Sequence, residues 1–308
     1  MLPTLSPSPL QRLSLPVAEA QRVTLYCKRD DLYTPAPGTA LQGNKVRKLG
    51  GVLQAAASYS RPPILVSFGG AYSNHLSALA TAGRLYNLPV VIFVRGEEVD
   101  NPILRRARMD GAQLILIARA DYRLKEDKFW LKTQRQQLAT SLQRPPEDIW
   151  FIPEGGTCPG SARSVGQLYA EVVTDLGEAP DYLCISAGTG GSAAGIIQAA
   201  SPSTMVEVYP ALKGNWMQQT IKQLLPTKIE ASWQLITDYH FGGYGKFPKA
   251  WIVDSPGLAK RANIGQAHLP PLEPIYTAKL FSGVLDRITR GCYPPGCSVV
   301  IIHTGGIY

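Results

Sequence analysis

The sequence predicts an α/β protein of two lobes, with parallel or mixed sheets wrapped by helices. Three observations predict it. Strand-like and helix-like runs alternate almost from end to end, the pattern of parallel strands joined by covering helices. The strand-like runs repeatedly finish in glycine, as SFGG, PEGG, SAGTGG and HTGG. The length, 308 residues, is at the upper edge of one domain and within the range of two.

Taken in order, PILVSFGG (63–70) is an apolar run ending in glycines, SNHLSALATAGRLY (73–86) has helical spacing, and LPVVIFVR (88–95) is again β-rich. These three form one βαβ unit. NPILRRARMDGA predicts a helix, QLILIA a strand, the polar RLKEDKFWLKTQRQQLATSLQ (123–143) one long helix, and DIWFIPEGG a strand. A second series follows: SARSVGQLYAEVVTDLG, DYLCISAGTGG, SAAGIIQAA, TMVEVYPAL, NWMQQTIKQLL and SWQLITDYH. Residues 242–274 read as a loop-rich passage, before the helix IYTAKLFSGVLDRIT and a last strand in CSVVIIHTGG. No internal repeat of solenoid period is evident.

Composition excludes several classes of function. Apolar residues make up 45% and charged residues 18%, with no apolar run long enough to span a bilayer, so a soluble protein without membrane partners is expected. The proline-broken MLPTLSPSPLQRLSLP has neither signal-peptide nor transit-peptide character, which makes the cytoplasm the expected address. Cys27, Cys158, Cys184, Cys292 and Cys297 are odd in number and scattered, which favours reduced thiols over a disulfide framework. With those spacings and four dispersed histidines, His75, His240, His268 and His303, no metal site is expected. The net charge of +8 suits anionic small molecules better than nucleic acid. The densest cationic stretch is interrupted by acids and lacks the interleaved aromatics that stack on bases.

Three constellations could carry chemistry. In GNKVRKLG the helical wheel places Lys45 in the sector of Leu49, Val52, Leu53 and Ala56, with Lys48 at its border and Arg47 nearly opposite. A lysine on a buried face near a helix N-terminus loses stability as a cation through desolvation and through the dipole, and both activate its amine. It could equally snorkel to the surface. In ISAGTGGSAAG a strand runs into Gly188, Thr189, Gly190, Gly191 and Ser192 ahead of a helix, where backbone N–H groups can cradle a phosphate. Gly188, Gly190 and Ala193 also approach a dinucleotide fingerprint, with Glu207 at about the right distance but inside a strand-like run. That keeps a nicotinamide-dependent dehydrogenase open. In SFGGAYSNH, Ser73 and Asn74 fall at a helix N-terminus, where capping is their simplest role. Together, an activated lysine, a phosphate cradle and a polar glycine loop suit pyridoxal phosphate.

From KRDDL through GNKVRKL, SFGGAYSNH, IPEGG, SAGTGGS, GGYG and PIYTAK to HTGG, the chain resembles the 1-aminocyclopropane-1-carboxylate deaminases and D-cysteine desulfhydrases. These are pyridoxal 5'-phosphate-dependent enzymes of the tryptophan-synthase-β-like fold, fold type II. The resemblance implies that Lys45 carries the cofactor covalently, that Asn74 bonds its phenolic oxygen, and that Gly188 to Ser192 hold its phosphate with Lys48 nearby. It implies that Ser73 contacts the substrate carboxylate and takes part in proton transfer or attack, and that Tyr244 and Tyr276 are active-site tyrosines. It implies a smaller inserted domain at 49–152, a larger one from 1–48 and 153–308, a small amino-acid substrate and a homodimer. The deaminase branch usually has glutamate after the second tyrosine and leucine before the last glycine pair, where this chain has Thr277 and Thr304. A hydroxyl beside the pyridine nitrogen makes a weaker electron sink than a carboxylate, which favours β-elimination of hydrosulfide from D-cysteine over ring opening. Relatives usually continue beyond the last glycine pair, so the wall near Thr304 is expected to be built differently. A binding protein that keeps the fold without turnover is the alternative outside catalysis.

Overall fold

The computed structural model describes residues 3–157, 159–248 and 269–307. Within them the strands are β1 (Leu10–Arg12), β2 (Thr24–Lys28), β3 (Ile64–Gly70), β4 (Val90–Arg95), β5 (Gln113–Ile117), β6 (Ile149–Phe151), β7 (Tyr182–Ala187), β8 (Met205–Pro210), β9 (Ser232–Leu235) and β10 (Ser298–Ile302). The helices are α1 (Pro16–Ala20), α2 (Asn44–Ala57), α3 (Asn74–Tyr86), α4 (Pro102–Met109), α5 (Arg119–Tyr122), α6 (Lys128–Ser141), α7 (Pro159–Leu176), α8 (Gly191–Ala199), α9 (Trp216–Leu224) and α10 (Thr277–Thr289). The chain divides into two compact units. One comprises Met1–Thr4, Pro35–Leu41 and Lys45–Cys158, and the other Leu5–Thr34, Gln42–Asn44 and Pro159–Tyr308.

The first unit is built on four parallel strands in the order β5-β4-β3-β6. A strand covered on both faces needs apolar residues at every position rather than alternate ones. ILVSFGG in β3 meets that demand, being buried up to Gly69. One face packs Leu65, Ile92 and Val94 with α2 and α3 through Leu49, Leu53, Leu76 and Leu79. The other packs Phe68 and Phe93, stacked at 5.5 Å, with Tyr122 and Leu138 of α5 and α6.

The second unit holds six strands in the order β1-β2-β10-β7-β8-β9, all parallel except the β1–β2 pair. Its two faces carry separate apolar clusters. Leu280, Phe281 and Val284 of α10 cover one, and Val165, Leu168, Ile196 and Ile197 of α7 and α8 cover the other.

Several expectations change. The polar helix expected over 123–143 starts late and runs as α6 only from Lys128 to Ser141, with Asp127 accepting the N–H of Trp130 as a cap. The early strands β1 and β2 were not foreseen. Arg47, placed opposite the apolar sector, is 4% exposed. Among the described residues no helix is long and apolar enough to cross a membrane and no side-chain group could hold a metal ion. Residues 249–268 of the loop-rich passage, with Cys158 and His268, lie outside the described residues.

Glu207, fully buried in the middle of β8, organises a polar network inside the second unit. One carboxylate oxygen accepts from Tyr209 at 2.8 Å and Tyr293 at 2.7 Å, and the other from Arg287 at 2.8 Å and Gln234 at 3.0 Å. Burial pushes both phenols up, so they remain neutral donors. With its oxygens committed to protein donors, Glu207 is not placed to receive a ribose as the dehydrogenase reading requires. Glu207→Ala leaves a guanidinium and two phenols without their acceptor and is expected to lower the unfolding free energy by about 3–5 kcal/mol, measured by urea denaturation.

Candidate active site

The expected site residues fall in two groups, one in each unit. In the first unit, Lys45 is the second residue of α2 and is half-buried, while Lys48, one turn on, is 4% exposed. Lys48 Nζ donates to Thr157 Oγ1 at 2.7 Å. Ser73 holds the N-cap position of α3 and Asn74 begins the helix. The Ser73 side chain makes no capping bond there, and its carbonyl takes the Leu76 N–H instead. Capping, the simplest explanation for a serine at this position, therefore does not account for its hydroxyl.

His75 follows Asn74 and is 1% exposed. Ser67 Oγ donates to the Ile152 carbonyl at 2.9 Å, so at 2.8 Å it must accept from His75 Nε2. The imidazole is then the Nε2–H tautomer, and Nδ1 keeps a lone pair with no hydrogen-bond partner among the described residues. Burial holds the imidazole well below its ordinary range, with the cations of Lys45 and Lys48 adding to the effect. Sequence reasoning did not single out His75; a buried histidine directly after an Asn at a helix start was the available signal.

In the second unit, β7 ends at Ala187 and α8 begins at Gly191, so Gly188, Thr189 and Gly190 form the turn and Gly191 and Ser192 the first helical residues. The four leading N–H groups of a helix lack partners within it and present the positive end of its dipole. Gly188 is dictated by contact: a Cβ there would stand 2.9 Å from Cε1 of Tyr276. Tyr276 occupies the N-cap position of α10, and its ring lies 6.2 Å from that of Tyr244 at 64°. The two tyrosines and the glycine turn are thus one cluster.

Thr277 is fully buried, and its hydroxyl accepts from the Glu273 N–H at 2.9 Å. The Glu273 carboxylate receives the N–H groups of Ile275, Tyr276 and Thr277 at 2.7–2.8 Å, which places an acid at the dipole's positive end. The sequence reading missed Glu273, although an acid before Pro-Ile-Tyr at a helix start is a legible capping signal.

Thr304 is 8% exposed, and its carbonyl accepts from the Asn44 N–H at 3.2 Å. Asn44 Nδ2 donates to Ser192 Oγ at 3.0 Å. The residue just before Lys45 is therefore held by the end of β10 and by the start of α8. Gly43 has φ +57°, and a Cβ on it would lie 2.3 Å from the Thr304 carbonyl oxygen, so the approach is open to glycine alone.

The buried imidazole carries a pH signature. Below about pH 6.5 the unfolded chain binds a proton that the folded chain refuses, so stability is lost as pH falls, by up to about 1.4 kcal/mol per pH unit. Urea denaturation between pH 7 and 5 should show this slope in the wild type and a shallower one in His75→Gln.

A family model described as pyridoxal-phosphate dependent enzyme matches residues 1–222. A Pyrococcus abyssi protein, provisionally named a 1-aminocyclopropane-1-carboxylate deaminase, is 31% identical over 304 residues, covering 92% of this chain and 85% of its own. A Rhizobium leguminosarum bv. viciae 1-aminocyclopropane-1-carboxylate deaminase is 26% identical, covering 98% of this chain and 92% of its own. The crystal structure of an ACC deaminase homologue superposes with a TM-score of 0.74 at 24% identity, over 99% of this chain and 90% of that one. An L-serine ammonia-lyase from Rhizomucor miehei shares the fold at a TM-score of 0.64 and 16% identity, over 98% and 94%. The α/β architecture with helix-wrapped parallel and mixed sheets is that of these type II enzymes, and the chain belongs to the pyridoxal-phosphate-dependent enzyme family.

Proposed function

We propose that this enzyme acts on a small amino acid as a deaminase of the 1-aminocyclopropane-1-carboxylate type, releasing 2-oxobutyrate and ammonia. The observation that carries the reading is the near full-length similarity to proteins bearing that name. It reverses the order in which the sequence argument ranked the two substrates.

The residues suit the cofactor. The turn from Gly188 to Ser192, three of whose five residues are glycine, presents main-chain N–H groups at a helix start, and a neutral, unpartnered imidazole nitrogen lies in the same segment as Asn74. Lys45 would hold pyridoxal phosphate covalently, Gly188 to Ser192 its phosphate, and Asn74 its phenolic oxygen. Lys48, Thr277 and Thr304 would complete the binding set. When bound, the cofactor supplies an electron sink for the pair left at the substrate's α-carbon.

The remaining chemistry belongs to the chain. The Lys45 amine, which would hold the cofactor, would also be the group that takes the α-proton. The Ser73 hydroxyl, not used as a cap, would bind the substrate carboxylate. The phenols of Tyr244 and Tyr276 would orient the substrate and donate to the leaving carbon or sulfur.

D-cysteine desulfhydration is the second reading, favoured by Thr277: a hydroxyl that accepts the Glu273 N–H, and no carboxylate, occupies that position. A cytoplasmic homodimer fits both readings, in keeping with Cys27, Cys184, Cys292 and Cys297 being unpaired.

Purified protein should be yellow, and its visible band should vanish on borohydride treatment and be missing from Lys45→Ala, whose turnover should fall by about 10⁴-fold or more. Parallel assays rank the substrates. Higher kcat/KM for 2-oxobutyrate release from 1-aminocyclopropane-1-carboxylate supports the deaminase, whereas higher kcat/KM for sulfide and pyruvate from D-cysteine replaces it with the second reading.

A further inference from the structure

Lys279 stands in the first turn of α10, two residues after Thr277, and is 2% exposed. A cation there is disfavoured twice, by desolvation and by the positive end of the helix dipole. Its Nζ nevertheless has three partners, all main-chain carbonyls: Ala211 at 2.8 Å, Gly243 at 2.8 Å and His240 at 3.0 Å. An ammonium has three N–H donors, so each is matched by one acceptor.

Those carbonyls belong to separate segments. Ala211 directly follows β8, while His240 and Gly243 form the turn that leads into Tyr244, and the lysine itself sits three residues beyond Tyr276. One ammonium therefore joins a strand end, the turn bearing one tyrosine and the helix bearing the other. Glu273 is the nearby acid, but its oxygens are taken by the N–H groups of residues 275–277, so the cation is held by geometry rather than by a carboxylate partner. Burial lowers the lysine to about 8, with Glu273 opposing the shift, which leaves it protonated at neutral pH.

We propose that Lys279 is a positioning residue for the reaction: its ammonium, caged by the carbonyls of Ala211, His240 and Gly243, sets where Tyr244 stands relative to Tyr276. This rests on the proposed part of the two tyrosines in catalysis. Carbonyls fix a backbone path independently of side chains, and backbone paths aim the two rings. A cation needed only for stability could bind any segment; this one binds the turn that carries Tyr244.

The test uses holoenzyme of the wild type, Lys279→Ala and Lys279→Met. Hydrogen exchange is followed in peptides spanning residues 237–248, together with kcat, KM and the visible band, using 1-aminocyclopropane-1-carboxylate and D-cysteine. Each is measured in ammonium chloride, methylammonium chloride and sodium chloride of equal ionic strength. Both variants should exchange about tenfold faster in that segment. Their kcat should fall about 100-fold, with KM changed less than about threefold and the visible band kept. In Lys279→Ala, whose shortened side chain leaves room for a small cation, ammonium should slow the exchange and restore part of kcat, whereas in Lys279→Met it should do neither. Unchanged exchange in both variants overturns the proposal, as does faster exchange with unchanged kcat. If Lys279→Ala fails to fold, Lys279→Met decides on the same two readouts. A wild type without the visible band strikes the proposed function, and segment exchange with its ammonium rescue then judges the cage alone.

Discussion

Parallel pairing is the constraint on which the rest depends. When strands run the same way, their carboxyl ends collect along one edge of each sheet, and the loops leaving that edge inherit whatever chemistry the protein performs. In the first unit that edge carries Ser73 and Asn74 after β3. In the second it carries the turn at Gly188 after β7, Ala211 after β8 and Thr304 after β10, strands that lie side by side or one apart. The candidate residues are scattered in sequence because the crossover helices need residues to span each return, and they are gathered at strand ends because the strands are parallel.

Buried charge is handled differently in different places. Glu207 is surrounded by donors on every side and is finished as a structural group. Lys28, fully buried, is paired with Glu171 and Asp175. His75 avoids the problem by remaining neutral, at the cost of one unpartnered nitrogen. An interior usually satisfies its polar atoms, and His75 Nδ1, near Lys45 and Lys48, is one of the few side-chain atoms among the described residues that it leaves without a partner.

The fold was largely legible because its signals are periodic. Alternating runs and glycine-ended strands are local, and β3, α3, β4 and β7 follow from them. The late start of α6 was hidden because the Arg, Leu, Lys and Glu of residues 123–126 all suit a helix, and only Asp127, acting as a cap, reveals where it begins. β1 and β2 were missed because a three-residue strand beside Pro9 and an isolated five-residue strand carry little pattern. The wheel misjudged Arg47 because it assumes one buried face, whereas the start of α2 is buried on more than one side. Lys279 and Glu273 were invisible for a different reason. Their meaning lies in which carbonyls and N–H groups surround them, and backbone partners leave no trace in side-chain identity.

The placement of β10 bears on how the chain is made. Residues 298–302 lie between β2, residues 24–28, and β7, residues 182–187, at the centre of the six-stranded sheet. A ribosome delivers β1 and β2 first, and they can pair with each other, yet β2 has no parallel neighbour until β10 emerges. The first unit can close its own four strands while translation continues. β1 and β2 must wait, with the far edge of β2 open, for a partner synthesised some 270 residues later. Asn44, anchored to the Thr304 carbonyl, waits with them. The residue preceding Lys45 thus reaches its final position only after β10 and the segment following it have been made.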